Sequence, residues 1–122
     1  MPRVVHFEIP AENPERAVKF YKTVFGWKIE KWEGPMEYWL VMTGEDKEPG
    51  INGAIMEKSD YVAVTTNTVG VASYEDAVKK IVEAGGKVLM PKMAVPGIGY
   101  MTYCKDTEGN VFGIMQNDPN AK

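Results

Sequence analysis

The only histidine of the chain, His6, stands two residues before a glutamate in the run Val-Val-His6-Phe-Glu8-Ile. Neutral imidazole binds divalent metals and titrates near neutrality, so this pairing offers a metal ligand or a proton carrier. The plainer alternative is a hydrogen-bonded histidine in a pocket wall, with Glu8 solvated or ion-paired. A catalytic zinc takes several protein ligands, and residues two apart on a strand are poorly placed to share one ion. Cys104 is the sole cysteine, with Lys105 beside it. A neighbouring lysine lowers a thiol pKa, whereas a lone cysteine in a strand also serves as a small core residue. Trp27, Trp32, Tyr38, Trp39, Tyr100 and Tyr103 lie on or beside predicted strands with Met36, Met42 and Met101. Such side chains line an apolar pocket for a planar ligand, or form ordinary core and dimer contacts. The expected ligand-contacting set is Trp27, Tyr38, Trp39, Thr66, Tyr100, Thr102 and Cys104. Gly97-Ile-Gly99 is followed by no helix and is no dinucleotide fingerprint; a mobile loop over a pocket mouth suits it better. The sequence contains no P-loop, His-Glu-x-x-His or Gly-x-Ser-x-Gly motif.

The elements that must carry these residues can be read from periodicity. Val4 to Ile9 alternates as a strand, with Val4, His6 and Glu8 on one face and Val5, Phe7 and Ile9 on the other. Asn13-Pro14 is a helix start; Ala17, Phe20, Tyr21 and Val24 follow at helical spacing, and Gly26 ends the segment. Trp27–Trp32, Tyr38–Met42 and Ile51–Met56 read as strands, the last weakened by Gly53. The polar loop from Thr43 to Gly50 separates the last two of these. A second series follows: a strand over Tyr61–Val69 and a helix capped at Ser73 with Ala77, Val78, Ile81 and Val82 as its apolar stripe. Strands over Lys87–Met90, Tyr100–Cys104 and Asn110–Gln116 close it, with Pro91–Gly99 as a loop.

The two series are copies. At an offset of 60, Glu15/Glu75, Ala17/Ala77, Val18/Val78, Lys19/Lys79 and Gly26/Gly86 are identical. A unit of this length cannot bury its apolar face alone, so two copies share a core. The same offset sets His6 opposite Thr66, which makes any site built by the duplication asymmetric. The expected architecture is α+β: two tandem βαβββ modules whose curved antiparallel half-barrel sheets surround a cleft, with helices outside. Module one spans about 1–56, a linker 57–60 and module two about 61–117, within one domain of 122 residues. A net charge of −3 argues against general nucleic-acid binding. One cysteine excludes an internal disulfide and fits a reducing compartment. Neither a signal-peptide run nor a membrane-length apolar stretch is present, so a cytoplasmic protein is expected.

Val-Val-His6-Phe-Glu-Ile, Ala17-Val-Lys-Phe-Tyr21 through Phe25-Gly26-Trp27, and the closing Asp106-Thr-Glu-Gly109-Asn-Val-Phe-Gly-Ile-Met together resemble the vicinal oxygen chelate superfamily. That superfamily includes glyoxalase I, extradiol dioxygenases, fosfomycin-resistance enzymes and bleomycin-resistance proteins. The likeness covers nearly the whole chain and is greatest for a glyoxalase-like group related to lactoylglutathione lyase. Metal-using members hold their ion through four strands, and His6 stands where the first ligand belongs. Thr66 takes the second-module position that is usually histidine, Gly113 stands in place of the closing carboxylate, and the matching first-module place is Ala54 or a near neighbour. The resemblance therefore implies no complete divalent metal site, and it leaves the cofactor open. It implies a homodimer that binds a small molecule in an aromatic cleft, as in bleomycin resistance. The alternative is a lyase, isomerase or dioxygenase-type enzyme with His6 as residual ligand or base and Glu8 assisting.

Overall fold

A computed structural model describes residues 2–122 and divides them into two compact units, His6–Thr66, and Asn67–Lys122 with the residues up to Val5. The first unit holds β1 (Arg3–Ala11) from His6 onward, α1 (Pro14–Phe25), β2 (Lys28–Lys31), β3 (Tyr38–Met42) and β4 (Asn52–Glu57). The second holds β5 (Thr66–Gly70) from Asn67 onward, α2 (Tyr74–Glu83), β6 (Lys87–Val88), β7 (Met93–Val95), β8 (Gly99–Lys105) and β9 (Val111–Asn117). The α+β class is as expected, and so is the βαβββ order of the first module; the second repeats that order with one short strand, β7, added.

Each module has the same strand order, β2-β3-β4-β1 in the first and β6-β8-β9-β5 in the second. The neighbours are antiparallel except β1 with β4 and β5 with β9, which run parallel. The sheets are therefore mixed rather than antiparallel throughout. A helix crossover returns the chain to the end from which β1 set out, so β2 runs with β1. Two reversals later β4 runs with β1 again, and the two can only pair in parallel.

Both helices start and stop where the sequence directs. The Asn13 side chain accepts the Arg16 amide at 3.1 Å, Pro14 opens the helix, and Gly26 closes it in the left-handed region at φ 70°. Ser73 caps α2 in the same way through the Asp76 amide. Asn13→Ala is expected to lower the unfolding free energy by about 1 kcal/mol. Urea unfolding with an unchanged midpoint would show that the cap contributes nothing.

Burial picks out the repeat more sharply than the stripes do. Ala17, Val18 and Tyr21 pack on the first core, which is built on Ile29, Trp39, Val41 and Ile55. Their counterparts Ala77, Val78 and Ile81 pack on the second, built on Tyr74, Cys104 and Ile114. Phe20 and Val24, expected in the first stripe, face outward at 56% and 52% exposure, and Val82 is likewise exposed. An apolar arc wider than the sheet can cover leaves its flank in water.

Two strand boundaries differ from the sequence pattern. The alternation from Tyr61 becomes strand only at Thr66, because Val62 is taken up by a turn. Its amide donates to Ser59 Oγ at 3.0 Å and its carbonyl accepts the Ser59 amide at 3.1 Å, leaving neither for a ladder. Conversely, Met93–Val95, inside the expected loop Pro91–Gly99, pairs antiparallel with Gly99–Met101. The motif Asp106 to Asn110 forms the β8–β9 turn. The Asn110 side-chain amide donates to Asp106 Oδ2, the backbone amides of Asn110 and Glu108 donate to Oδ1, and these bonds hold the carboxyl below the usual range.

Candidate functional site

Strand alternation sends Phe7 and Ile9 toward α1 and the first core, and turns His6 and Glu8 to the opposite face of the sheet. Register then sets the rest. His6 pairs with Asn52 and Glu8 with Ala54 on β4, while Tyr38 and Leu40 of β3 pair with Met56 and Ala54. Tyr38 is thus two strands from β1, roughly 10 Å away, and its ring spans that distance across β4. Ala54, opposite Glu8, has only a methyl group to raise in its path. The Tyr38 hydroxyl donates to Glu8 Oε2 at 2.7 Å and lies 2.8 Å from His6 Nε2. The edge of Trp32 braces the Tyr38 ring, with centroids 5.9 Å apart at 72°.

The hydroxyl has one proton, and Glu8 receives it. Toward His6 the same oxygen can only accept, so Nε2 carries a hydrogen and donates it. Burial lowers the pKa of His6 below 6.5, and the Glu8 charge opposes this with a smaller effect. A histidine whose folded pKa is depressed binds its proton more readily in the unfolded chain. Its contribution to stability is therefore complete above pH about 6.5 and is lost as pH falls toward the lower folded value. Urea unfolding at pH 7.5 and 5.5 should show a loss on acidification that His6→Gln removes in part. An identical pH response in the two proteins would contradict this.

The structure brings His6, Glu8 and Tyr38 together and sends most of the other expected contacts elsewhere. Trp39 is a core residue beside Ile29 and Val41, on the face opposite Tyr38. Trp27 lies flat on Tyr21, with centroids 5.1 Å apart, and next to Phe25. Cys104 is fully buried in the second core, where burial raises its thiol pKa and makes it a poor nucleophile. These three belong to packing: alternation assigns Trp39 and Cys104 to the helix-facing sides of their strands, and Trp27, just before β2, lies against α1. Thr66 Oγ1 donates to the Val64 carbonyl and Thr102 Oγ1 to the Met90 carbonyl, both at 2.8 Å. Tyr100 lies under the Lys92 ammonium, 4.5 Å from its ring centroid, and Lys92 also reaches Glu75 Oε1 at 2.8 Å. Trp32 as a brace and Tyr38 as a bridge were beyond sequence reasoning, since both depend on register.

The residues at the superfamily's metal positions do not suit a divalent ion. Ala54 and Gly113 have no donor atom, Thr66 donates its hydroxyl proton to the backbone, and His6 Nε2 is turned to Tyr38. Among the described residues no three His, Cys, Asp or Glu side chains converge. In the second module Thr68 and Gly113 pair as Glu8 and Ala54 do in the first, and a Cβ at Gly113 would crowd Thr68 Oγ1 at 3.0 Å.

Two depressions lie on the first unit. One of about 500 Å³ opens beside the start of α1 between Asn13, Arg16 and Phe20. The other, about 140 Å³, sits in the acidic Thr43–Asn52 loop and reaches Asn52, the register neighbour of His6. The Asn52 side chain is engaged there with the Thr43 amide at 3.0 Å. No helix among the described residues is long and apolar enough to cross a membrane.

Residues 3–44 match a family model described as bleomycin resistance protein-like N-terminal. No functionally curated protein matches the sequence. Among solved structures, a hypothetical protein from Bacillus halodurans C-125 aligns with a TM-score of 0.74 at 13% identity, over 99% of this chain and 98% of its own. A methylmalonyl-CoA epimerase in complex with methylmalonyl-CoA and ammonium aligns at 0.74 and 16% identity, over 100% and 99%. The epimerase of Streptomyces coelicolor with 2-nitronate-propionyl-CoA gives 0.73 and 16%, over 98% and 97%. At these identities the likeness is one of fold.

Proposed function

The chain has the vicinal oxygen chelate fold, and we propose that it binds a small organic molecule on the sheet face that carries His6, Glu8 and Tyr38. The observation supporting this is the Tyr38 hydroxyl, held within hydrogen-bond distance of both His6 Nε2 and Glu8 Oε2. A carboxylate only 4% exposed and a half-buried imidazole cost desolvation energy that packing alone would avoid. Leu40 and Met42 on the same face are exposed apolar side chains, suited to the body of a ligand. The residues at the metal positions supply too few donors, so the ligand meets the side chains directly, as in a sequestering protein of the bleomycin-resistance kind. The working form is a cytoplasmic homodimer, and sedimentation should give twice the monomer mass.

A thermal-shift screen of small metabolites and antibiotics tests the binding reading. A ligand at a hundred times its dissociation constant stabilises the fold by about 2.7 kcal/mol. That shift should fall to about half or less in His6→Gln and Tyr38→Phe, each compared with its own unliganded protein. A shift that survives both substitutions in full would place the ligand elsewhere and defeat the reading.

One observation favours a second reading, an isomerase or lyase that moves a proton. A neutral histidine backed through a tyrosine by a carboxylate is arranged to take up a proton and stabilise the imidazolium that results. Turnover of a carbonyl substrate that His6→Gln abolishes and Thr66→Val leaves unchanged would establish it.

A further inference from the structure

We propose that the ligand of this face presents a hydrogen-bond donor, the N–H or O–H of a neutral or cationic group, to Nδ1 of His6, and that carboxylates and phosphates are refused. The inference rests on the reading that a ligand docks at His6 and Tyr38, and it specifies that ligand's chemistry.

The hydrogen-bond chain fixes the tautomer. Tyr38 donates to Glu8, so its oxygen accepts from Nε2–H, and a neutral ring with hydrogen on Nε2 has a bare lone pair on Nδ1. Every buried polar side-chain atom among the described residues has a partner, and the hydrogen bond of His6 is made by Nε2 alone. Nδ1 therefore reaches solvent, where an incoming group can meet it. It offers an acceptor and has no hydrogen to give.

Charge on the same face points the same way. The Glu8 carboxylate lies just behind the imidazole, through Tyr38. The other charged side chains that alternation places on this face of the first module are Lys28 and Glu30, on β2. Lys28 shares the register row Lys28–Met42–Asn52–His6 and is three strands away, roughly 14 Å, beyond the screening length at physiological salt. No described cation of that face stands close enough to hold an anion against Glu8. Trp32 and Leu40 supply apolar surface on the same face, so the favoured ligand is an aromatic or aliphatic body with a phenol, indole or amine donor. The methylmalonyl-CoA held by one structural neighbour is an anion and does not meet this description.

Because His6 is the only histidine, its ring nitrogens can be followed by NMR in ¹⁵N-histidine-labelled protein without assignment. The free protein at pH 7.5 should show the Nε2–H tautomer with an unprotonated Nδ1. Titration with indole should then shift the Nδ1 resonance, and N-methylindole, which lacks the donor, should leave it in place and bind roughly tenfold more weakly. An Nδ1–H tautomer, or equal shifts from the two probes, would overturn the inference. Movement of the Trp32 and Tyr38 signals without any change at Nδ1 would overturn it while leaving the docking face intact. If indole moves none of the three residues, even at saturating concentration, both the inference and the binding face are rejected.

Discussion

Tyr38→Phe should lower the unfolding free energy by about 2 kcal/mol and weaken ligand binding at least tenfold. The substitution removes one oxygen, but two groups depend on it. Glu8, 4% exposed, loses a donor at 2.7 Å, and His6 Nε2–H loses its acceptor at 2.8 Å. A buried polar group deprived of a partner costs about 1–3 kcal/mol, and both deprivations come from one change. The hydroxyl's role separates from simple packing loss in a double-mutant cycle with Glu8→Gln. Groups that share a hydrogen bond should give a combined loss smaller than the sum of the single losses. Strict additivity in urea unfolding would mean that the bridge carries no energy.

The second large effect comes from the helix-facing side of the same strands. Gly53→Ala should cost about 3 kcal/mol. A Cβ at Gly53 would lie 2.5 Å from both the Phe7 carbonyl oxygen and the edge of the Phe7 ring, and backbone cannot yield as a flexible side chain does. Phe7 and Gly53 are register partners in the parallel β1–β4 pair, so relief requires β1 to move away from β4. His6 and Glu8 flank Phe7 on that strand. The variant should therefore also displace the His6 ring resonances, even where the fold survives. A loss under 1 kcal/mol with an unchanged His6 spectrum would show that β1 tolerates the methyl group. From sequence Gly53 looked like a weakness in a strand; in the structure it is the place where an aromatic ring is admitted.

That contrast marks how far the sequence could be read. The caps at Asn13, Gly26 and Ser73 act within four residues and were legible, as was the alternation that turned His6 and Glu8 away from Phe7 and Ile9. The duplication announced the twofold βαβββ order, because Ala17, Val18 and Tyr21 recur as Ala77, Val78 and Ile81 in the same buried role. Cross-strand register was not legible. Nothing local says that Tyr38 stands beside Met56, or that Ala54 leaves a path to Glu8, so Tyr38 could be placed in a pocket but not joined to His6. Trp39 and Cys104 were misassigned to the pocket because an aromatic or a thiol on a strand has the same appearance whichever face it takes. The strand Met93–Val95 was missed because it depends on its partner β8, and the turn at Ser59–Val62, though local, was hidden by the alternating pattern that runs on from Tyr61.

The outer strands bear on how the protein behaves in concentrated solution. An unpaired sheet edge is a template on which another chain can add, and proteins blunt such edges with charge, brevity and proline. Three of the four residues of β2 are charged, Lys28, Glu30 and Lys31. On the second module the edge is broken into β6, of two residues, and β7, of three, both paired to β8, and β7 is bracketed by Pro91 and Pro96. Neither stretch offers a growing fibril more than a few hydrogen bonds, and proline interrupts the one with the more apolar side chains. Replacing Pro91 and Pro96 by residues with a free amide removes that protection, so the first symptom would be loss of solubility on storage rather than loss of fold.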